Sequence, residues 1–140
     1  MEIKKYEHKA QYYETDQMGI VHHSNYIRWF ESARLDLMEQ MGIPYGRMEE
    51  MGIISPVLSV ECRYREMVHF NDVVYIEAEI VKYNGIKMEL KYKITNPENG
   101  NVCTTGSSSH CFLNREGKIL FLKKEYPEIH KLFSDALNKP

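Results

Sequence analysis

The 140 residues carry 18 Lys and Arg against 20 Asp and Glu, a formal charge of −2, with a sequence pI near 6.3. Such a balance excludes a general binder of nucleic acid or of a membrane surface, which needs a clustered positive field, and favours small-molecule or protein partners. At 43% hydrophobic content the chain reads as one globular domain over residues 1–140, long enough to bury roughly two-thirds of its unfolded surface without a disulfide or metal staple.

Three cysteines, Cys62, Cys103 and Cys111, make an odd count with no CxxC spacing. The start Met1-Glu2-Ile3-Lys4-Lys5-Tyr6-Glu7-His8 has no apolar run of the signal-peptide kind, so the cytosol is the expected compartment. No apolar run approaches the roughly 20 residues of a membrane span.

In chain order, Ile3 to Tyr13 alternates loosely through Tyr6, His8, Ala10 and Tyr12 and predicts an opening strand. From about Ser24 to Met41, Tyr26, Phe30, Ala33, Leu37 and Met41 recur at helical spacing, with Arg28, Glu31, Arg34, Asp36 and Glu39 between them. Ser24 or Asn25 is the expected N-cap, and Gly42 before Ile43-Pro44 the stop. The period then falls to two. Leu58, Val60, Cys62 and Tyr64 mark a half-buried strand, Val74, Ile76, Ala78 and Ile80 a second, and Ile86, Met88, Leu90, Tyr92 and Ile94 a third.

Asn84-Gly85 predicts a two-residue hairpin between the last two, because both residues tolerate positive φ. After the turn at Asn96-Pro97-Glu98-Asn99-Gly100, Val102 to Leu113 reads as a fourth strand of this group, and Tyr126 to Asn138 as a short closing helix. One apolar-faced helix and an antiparallel sheet with one polar face predict an α+β fold in which the sheet wraps the helix. Its edge strands favour pairing with a second copy.

Chemistry concentrates between the first strand and the long helix, in Tyr12-Tyr13-Glu14-Thr15-Asp16-Gln17-Met18-Gly19-Ile20-Val21-His22-His23-Ser24-Asn25-Tyr26. Asp16 stands just before a helix whose first amides lack partners, a pairing of carboxylate and oxyanion site. The simpler alternative is that Asp16 and Gly19 only satisfy a turn.

The run Y-x-E-T-D-x-M-G-I-V-H-H-S-N-Y-x-x-W-F-E-x-A-R, Tyr12 to Arg34, closely resembles the signature of the hotdog-fold acyl-CoA thioesterases of the 4-hydroxybenzoyl-CoA thioesterase type. Gly106 to Phe112 resembles that family's last long strand, with less specificity. The resemblance implies a five-stranded sheet around a central helix and hydrolysis of an acyl-CoA to acid and free CoA. It also implies a homodimer or homotetramer with sites near the subunit interface. It gives Asp16 the role of catalytic carboxylate and the main-chain N–H of His23 that of polarising the thioester carbonyl. Asp16 as nucleophile and as general base both stay open. An alkyl thiol of pKa ~8.5 leaves readily as thiolate, so one carboxylate and an oxyanion site suffice.

Rival schemes are weaker. His22 and His23 lack the spacing of a metal pair, their side chains are expected to diverge, and no cofactor is implied. No GxSxG elbow frames Ser107, Ser108 or Ser109; these small residues fit a close approach of the strand to the helix or to a ligand. Adjacent His110 and Cys111 fall on opposite strand faces.

Glu31 is a sharper rival, since other hotdog thioesterases use a carboxylate on the long helix, but an ion pair with Arg28 or Arg34 is expected of it. Tyr26, with Trp29, can wall an acyl site, while Phe30 belongs to the core. Where some relatives cluster basic residues near the turn between the third and fourth strands, this chain has Lys82 and Lys87, which with Arg63 and Arg65 are the candidates for CoA contacts. A hotdog hydratase or dehydratase and a non-catalytic acyl-CoA-binding or scaffolding protein are the competing readings. The first lacks its D-x-N-x-x-H motif here, and the second gives no reason to keep Asp16.

Overall fold

The computed structural model describes residues 3–137. Its elements are β1 (Tyr6–Lys9), a 3-10 turn at Tyr12–Glu14, α1 (Ser24–Gln40), α2 (Tyr45–Glu50), β2 (Val57–Tyr64), β3 (Val73–Tyr83), β4 (Lys87–Thr95), β5 (Val102–Cys111), α3 (Leu122–Glu125) and α4 (Pro127–Leu137). All strand pairs are antiparallel, in the order β1-β3-β4-β5-β2. This is the expected hotdog architecture, with α1 lying along the inner face of the sheet.

The apolar stripe of α1 is the core's spine. Tyr26, Phe30, Ala33, Leu37 and Met41 are all buried, as are Trp29 and Met38 beside them. They meet Val74, Ile76, Ile80, Met88, Leu90, Tyr92 and Ile94 of the sheet, each the buried member of a period-two pattern. Phe30 stacks on Tyr92 with ring centroids 4.5 Å apart. The outward positions carry charge: Glu77 stands 3.2 Å from Lys93 and 3.8 Å from Lys5. Such exposed pairs contribute about 0–1 kcal/mol each.

Gly42, at φ +88, ends α1 as expected, with the Ile43 N–H donating to the Met38 carbonyl at 2.9 Å. The chain then forms α2, a short helix that no periodicity announced, on which Met48 is wholly buried. The opening strand is shorter than its alternation suggested, because the Gln11 main chain bends into the 3-10 turn. At the hairpin, Tyr83 pairs with Met88 and the Asn84 N–H donates to the Lys87 carbonyl at 3.2 Å, so Asn84, Gly85 and Ile86 lie between β3 and β4. Only Gly85 there has positive φ, while Asn84 Oδ1 accepts the N–H groups of Ile86 and Lys87. The closing helix runs to Leu137; Asn138 lies outside the described residues.

The half-buried reading of the strand after Val57 is corrected. β2 is exposed on both faces, with only Cys62 partly covered; it is one of the two outer strands of the sheet, and among the described residues no further element covers its faces.

Candidate active site

Leaving β1, the chain turns through Tyr12–Glu14 and pairs Thr15 with Val21 across a tight loop. Asp16 N–H donates to the Ile20 carbonyl at 2.9 Å and Gly19 N–H to the Asp16 carbonyl at 3.1 Å. Gly19, at φ +77, supplies the left-handed residue that closes the loop. Pairing of Ile20 with His69 and a bond from Val21 N–H to the Val68 carbonyl, 2.8 Å, dock the loop on the chain before β3. The half-buried Asp16 carboxylate accepts the Met18 N–H at Oδ1, 2.7 Å. The turn role weighed for Asp16 is therefore real, and it occupies one oxygen while leaving Oδ2 with no protein donor among the described residues.

His23 immediately precedes α1. The expected cap by Ser24 or Asn25 is replaced by His22, whose Nδ1 accepts the Ser24 N–H at 3.2 Å and lies 2.9 Å from Ser24 Oγ. Asn25 is instead buried, its Nδ2 donating to the Glu14 carbonyl at 2.9 Å. The N–H groups of Asn25 and Tyr26 go to the carbonyls of His22 and His23. That of His23 has no acceptor among the described residues. It is a free donor at the positive end of a 17-residue helix. The His22 and His23 rings do not diverge as expected but face each other with centroids 4.2 Å apart. Among the described residues no group of three His, Cys, Asp or Glu is arranged for a metal ion.

Tyr26 lies beneath this surface, buried, its ring 5.1 Å from Trp29 and 5.1 Å from Tyr64, and burial pushes its hydroxyl up to about 12. Trp29 is also buried and spends its indole N–H on Glu14. Tyr64, at the end of β2, reaches toward the His23 carbonyl at 3.4 Å. Tyr12, Tyr13, Met18, Met67 and Phe70 form an exposed apolar rim around the loop, with the rings of Tyr12 and Phe70 edge to face at 5.6 Å.

The structure thus brings Asp16, His23 and Tyr26 to one end of the molecule. It does not bring Lys82 and Lys87 there. Asp72, just before β3, bonds Ala10 beside the loop, and Lys82 is ten residues further along the chain, about 30 Å at strand rise. Lys82 lies 3.9 Å from Glu89 and Lys87 is exposed. Arg63 and Arg65, flanking Tyr64, Arg28 of α1 and Lys9 at the end of β1 are exposed cations at the loop's end of the sheet, and Arg63 also lines the separate cavity over the sheet.

Glu31 is exposed and has no ion-pair partner among the described residues, and Arg34 turns instead toward the Tyr92 hydroxyl at 3.5 Å. His110 is buried and Cys111 only partly so, on opposite faces as expected. A cavity of about 800 Å³ lies elsewhere, over Leu37, Met41 and Ala78, and includes no residue of the Asp16 loop.

Sequence reasoning missed Glu14 and Asn25, which hold the loop together. The one local signal was Gln11 three residues before Glu14, a capping box around the 3-10 turn.

The thioesterase-like superfamily model matches residues 11–137, which spans the loop, the helix and all strands after β1. YneP of Bacillus subtilis (strain 168), an inferred acyl-CoA thioesterase, is 35% identical over 137 residues, covering 97% of this chain and 99% of its own. The crystal structure of a DHNA-CoA thioesterase from Staphylococcus aureus superposes with a TM-score of 0.89 at 36% identity, covering 94% of this chain and 88% of the other. A hypothetical protein of Aquifex aeolicus superposes with a TM-score of 0.85 at 28% identity, covering 94% and 99%. With the match running through the Asp16 loop and α1 together, the chain belongs to the thioesterase-like superfamily and is a thioester-hydrolysing enzyme.

Proposed function

We propose that this chain hydrolyses acyl-CoA thioesters through the Asp-loop arrangement of the 4-hydroxybenzoyl-CoA type, with Asp16 as the reacting carboxylate and the His23 N–H as oxyanion donor. The observation that carries the reading is the free His23 amide at the start of α1, on the same loop as an anchored carboxylate with one open oxygen. The thioester carbonyl oxygen accepts from the His23 N–H, which stabilises the negative charge that develops as the carbonyl carbon turns tetrahedral. Asp16 takes a proton from an attacking water, or attacks the carbon itself to give an anhydride that water then cleaves. In either case the C–S bond breaks with its electron pair on sulfur. The thiolate departs and the acyl group leaves as a carboxylic acid.

A bulky aromatic acyl group is the substrate class we infer. The Staphylococcus aureus structure is that of a DHNA-CoA thioesterase, and the loop here is rimmed by Tyr12, Phe70 and Tyr64. Arg28, Arg63 and Arg65 are better placed than Lys82 and Lys87 to meet CoA phosphates at the same subunit's site. The working form is at least a homodimer. β2 has an unpaired outer edge and exposes Val57, Leu58, Val60 and Tyr64, so a second copy pairing there would cover them and wall the open loop. Cys62, Cys103 and Cys111 are all free thiols, consistent with the cytosol.

The test is thiol release from benzoyl-, naphthoyl-, short-chain and long-chain acyl-CoAs. Turnover with the highest kcat/KM on the aromatic thioesters is expected. Tight binding of acyl-CoA with no thiol released would establish the non-catalytic reading instead.

A further inference from the structure

Glu14 is only 6% exposed, a rare position for a carboxylate unless it is fully partnered. It is hydrogen-bonded to five residues, of β1, the turn, the far end of the loop and α1. Oε1 accepts the Gln11 N–H at 2.9 Å and stands 2.9 Å from His8 Nε2, while Oε2 accepts the Trp29 indole N–H at 2.7 Å. Its main-chain carbonyl accepts the His22 N–H at 2.8 Å and Asn25 Nδ2 at 2.9 Å. The His8 ring lies on Trp29, centroids 4.6 Å apart.

These bonds reach β1, the 3-10 turn and α1 from the side chain, and the far end of the Asp16 loop and the first turn of α1 from the main chain. Glu14 is two residues before Asp16, and the residue bonded to its carbonyl is the neighbour of His23. Glu14 thus links the side of the loop that carries the carboxylate to the side that carries the oxyanion amide.

We propose that Glu14 is a positioning residue for thioester hydrolysis, which sets the spacing between Asp16 and the His23 N–H by tying both ends of the loop to β1 and Trp29. The proposal rests on the hydrolytic reading of Asp16 and His23 given above. Burial works to raise the Glu14 carboxyl, but the hydrogen bonds from the Gln11 amide, Trp29 and His8, with the charge of His8, outweigh it. The group lies below its ordinary value of 4.5 and is ionised at neutral pH. A buried charged cluster is seldom the most stabilising way to fill a core, since well-packed apolar residues of like volume often serve as well or better. A role in alignment accounts for one placed here.

The experiment compares wild type with Glu14→Gln, Trp29→Phe and the double variant, measuring kcat and KM for thiol release and the ¹H–¹⁵N resonances of the protein. The chain has one tryptophan, so the indole N–H signal reports the Trp29–Glu14 bond without ambiguity. Glu14→Gln replaces one acceptor oxygen by an NH₂ group. It is expected to shift the indole resonance and the His22 and His23 amides and to lower kcat ~10- to 100-fold, the scale of a small misplacement of reacting groups, with KM little changed. Trp29→Phe is expected to give a smaller fall in kcat, and the double variant less than the sum of the two, as for residues acting through one contact.

A Glu14→Gln protein with a shifted indole signal and wild-type kcat would overturn the proposal, as would unmoved His22 and His23 amides. Should Glu14→Gln fail to fold, Trp29→Phe with unchanged kcat and unmoved His amides overturns it equally. Should wild type cleave no thioester, the hydrolytic reading fails, while the His22 and His23 resonances still decide whether Glu14 sets the loop.

Discussion

Gly106 of β5 lies against the ring of Phe30 of α1 with no room for a side chain: a Cβ there would come within 2.6 Å of Phe30 Cζ and of the Glu61 carbonyl oxygen. The glycine is needed for space, since its backbone has no positive φ. It allows the Phe30 ring to stack flat on Tyr92 and closes the sheet onto the helix. Gly106→Ala is expected to destabilise the fold by about 1–3 kcal/mol, the usual cost of overpacking a filled core. A urea midpoint equal to wild type would show that the contact does not constrain the sheet.

Asp16→Asn keeps an amide oxygen to accept the Met18 N–H, so the loop is expected to hold its shape. Its turnover is expected to drop by ~10²- to 10⁴-fold, the range for loss of a positioned base. Thiol release under saturating acyl-CoA, with circular dichroism as the fold control, measures this. Full activity in the variant would remove Asp16 from the chemistry. Glu31→Gln, altering an exposed side chain with no ion pair among the described residues, is expected to leave kcat near wild type.

Tyr92, Ser108 and His110 form a buried chain, with 2.6 Å from Tyr92 Oη to Ser108 Oγ and 2.7 Å from Ser108 Oγ to His110 Nε2. Burial first, and the Arg34 charge second, push the His110 imidazole down from 6.5 to about 4. The unfolded chain takes up this proton near pH 6.5, whereas the folded one does so only near 4. The stability it contributes is thus present in full above pH 6.5 and lost as pH falls from 6.5 to 4. The lowered Glu14 carboxyl works in the same direction, but only below its ordinary value of 4.5. A Tm that declines between pH 6.5 and 4.5, and declines less in His110→Gln, is the expected result. Parallel curves for the two proteins would contradict it.

Val60 is exposed on the outer strand, opposite Ser108 of β5. A lysine there places charge on the edge proposed to pair with a second copy. Val60→Lys is expected to leave the secondary structure intact, shift the protein to monomer in light scattering and lower kcat/KM. A variant that stays oligomeric with normal kcat/KM would move the interface to another face.

The helix and the strands were legible because their signals are local. Tyr26 to Met41 repeats at the helical period, Gly42 ends the run, and Val74 to Ile94 alternates with a period of two. α2 escaped because its six residues offer too few turns to show a period. The hairpin was placed correctly but its loop is one residue longer than read, because the Asn84 carboxamide takes the N–H groups of Ile86 and Lys87 while the Asn84 N–H donates to the Lys87 carbonyl, which keeps Ile86 in the loop. In the loop, Asp16 and Gly19 were readable as turn residues, whereas the bonds from Glu14 to Trp29, fifteen positions away, leave no trace in local pattern.

The sequence by itself determined the long helix α1, the strands, the inward faces of α1, β3 and β4, and the loop that carries Asp16 and His23. Only the tertiary structure decided three things: that β2 is an outer strand exposed on both faces, that Lys82 and Lys87 lie at the far end of β3 from Asp16, and that Glu14 is hydrogen-bonded to five residues. The physical reason is that a strand's alternation records which side of the sheet each residue faces but not which strand lies beside it. Strand order, and with it which side chains meet at the loop, comes from pairings between segments distant in the chain.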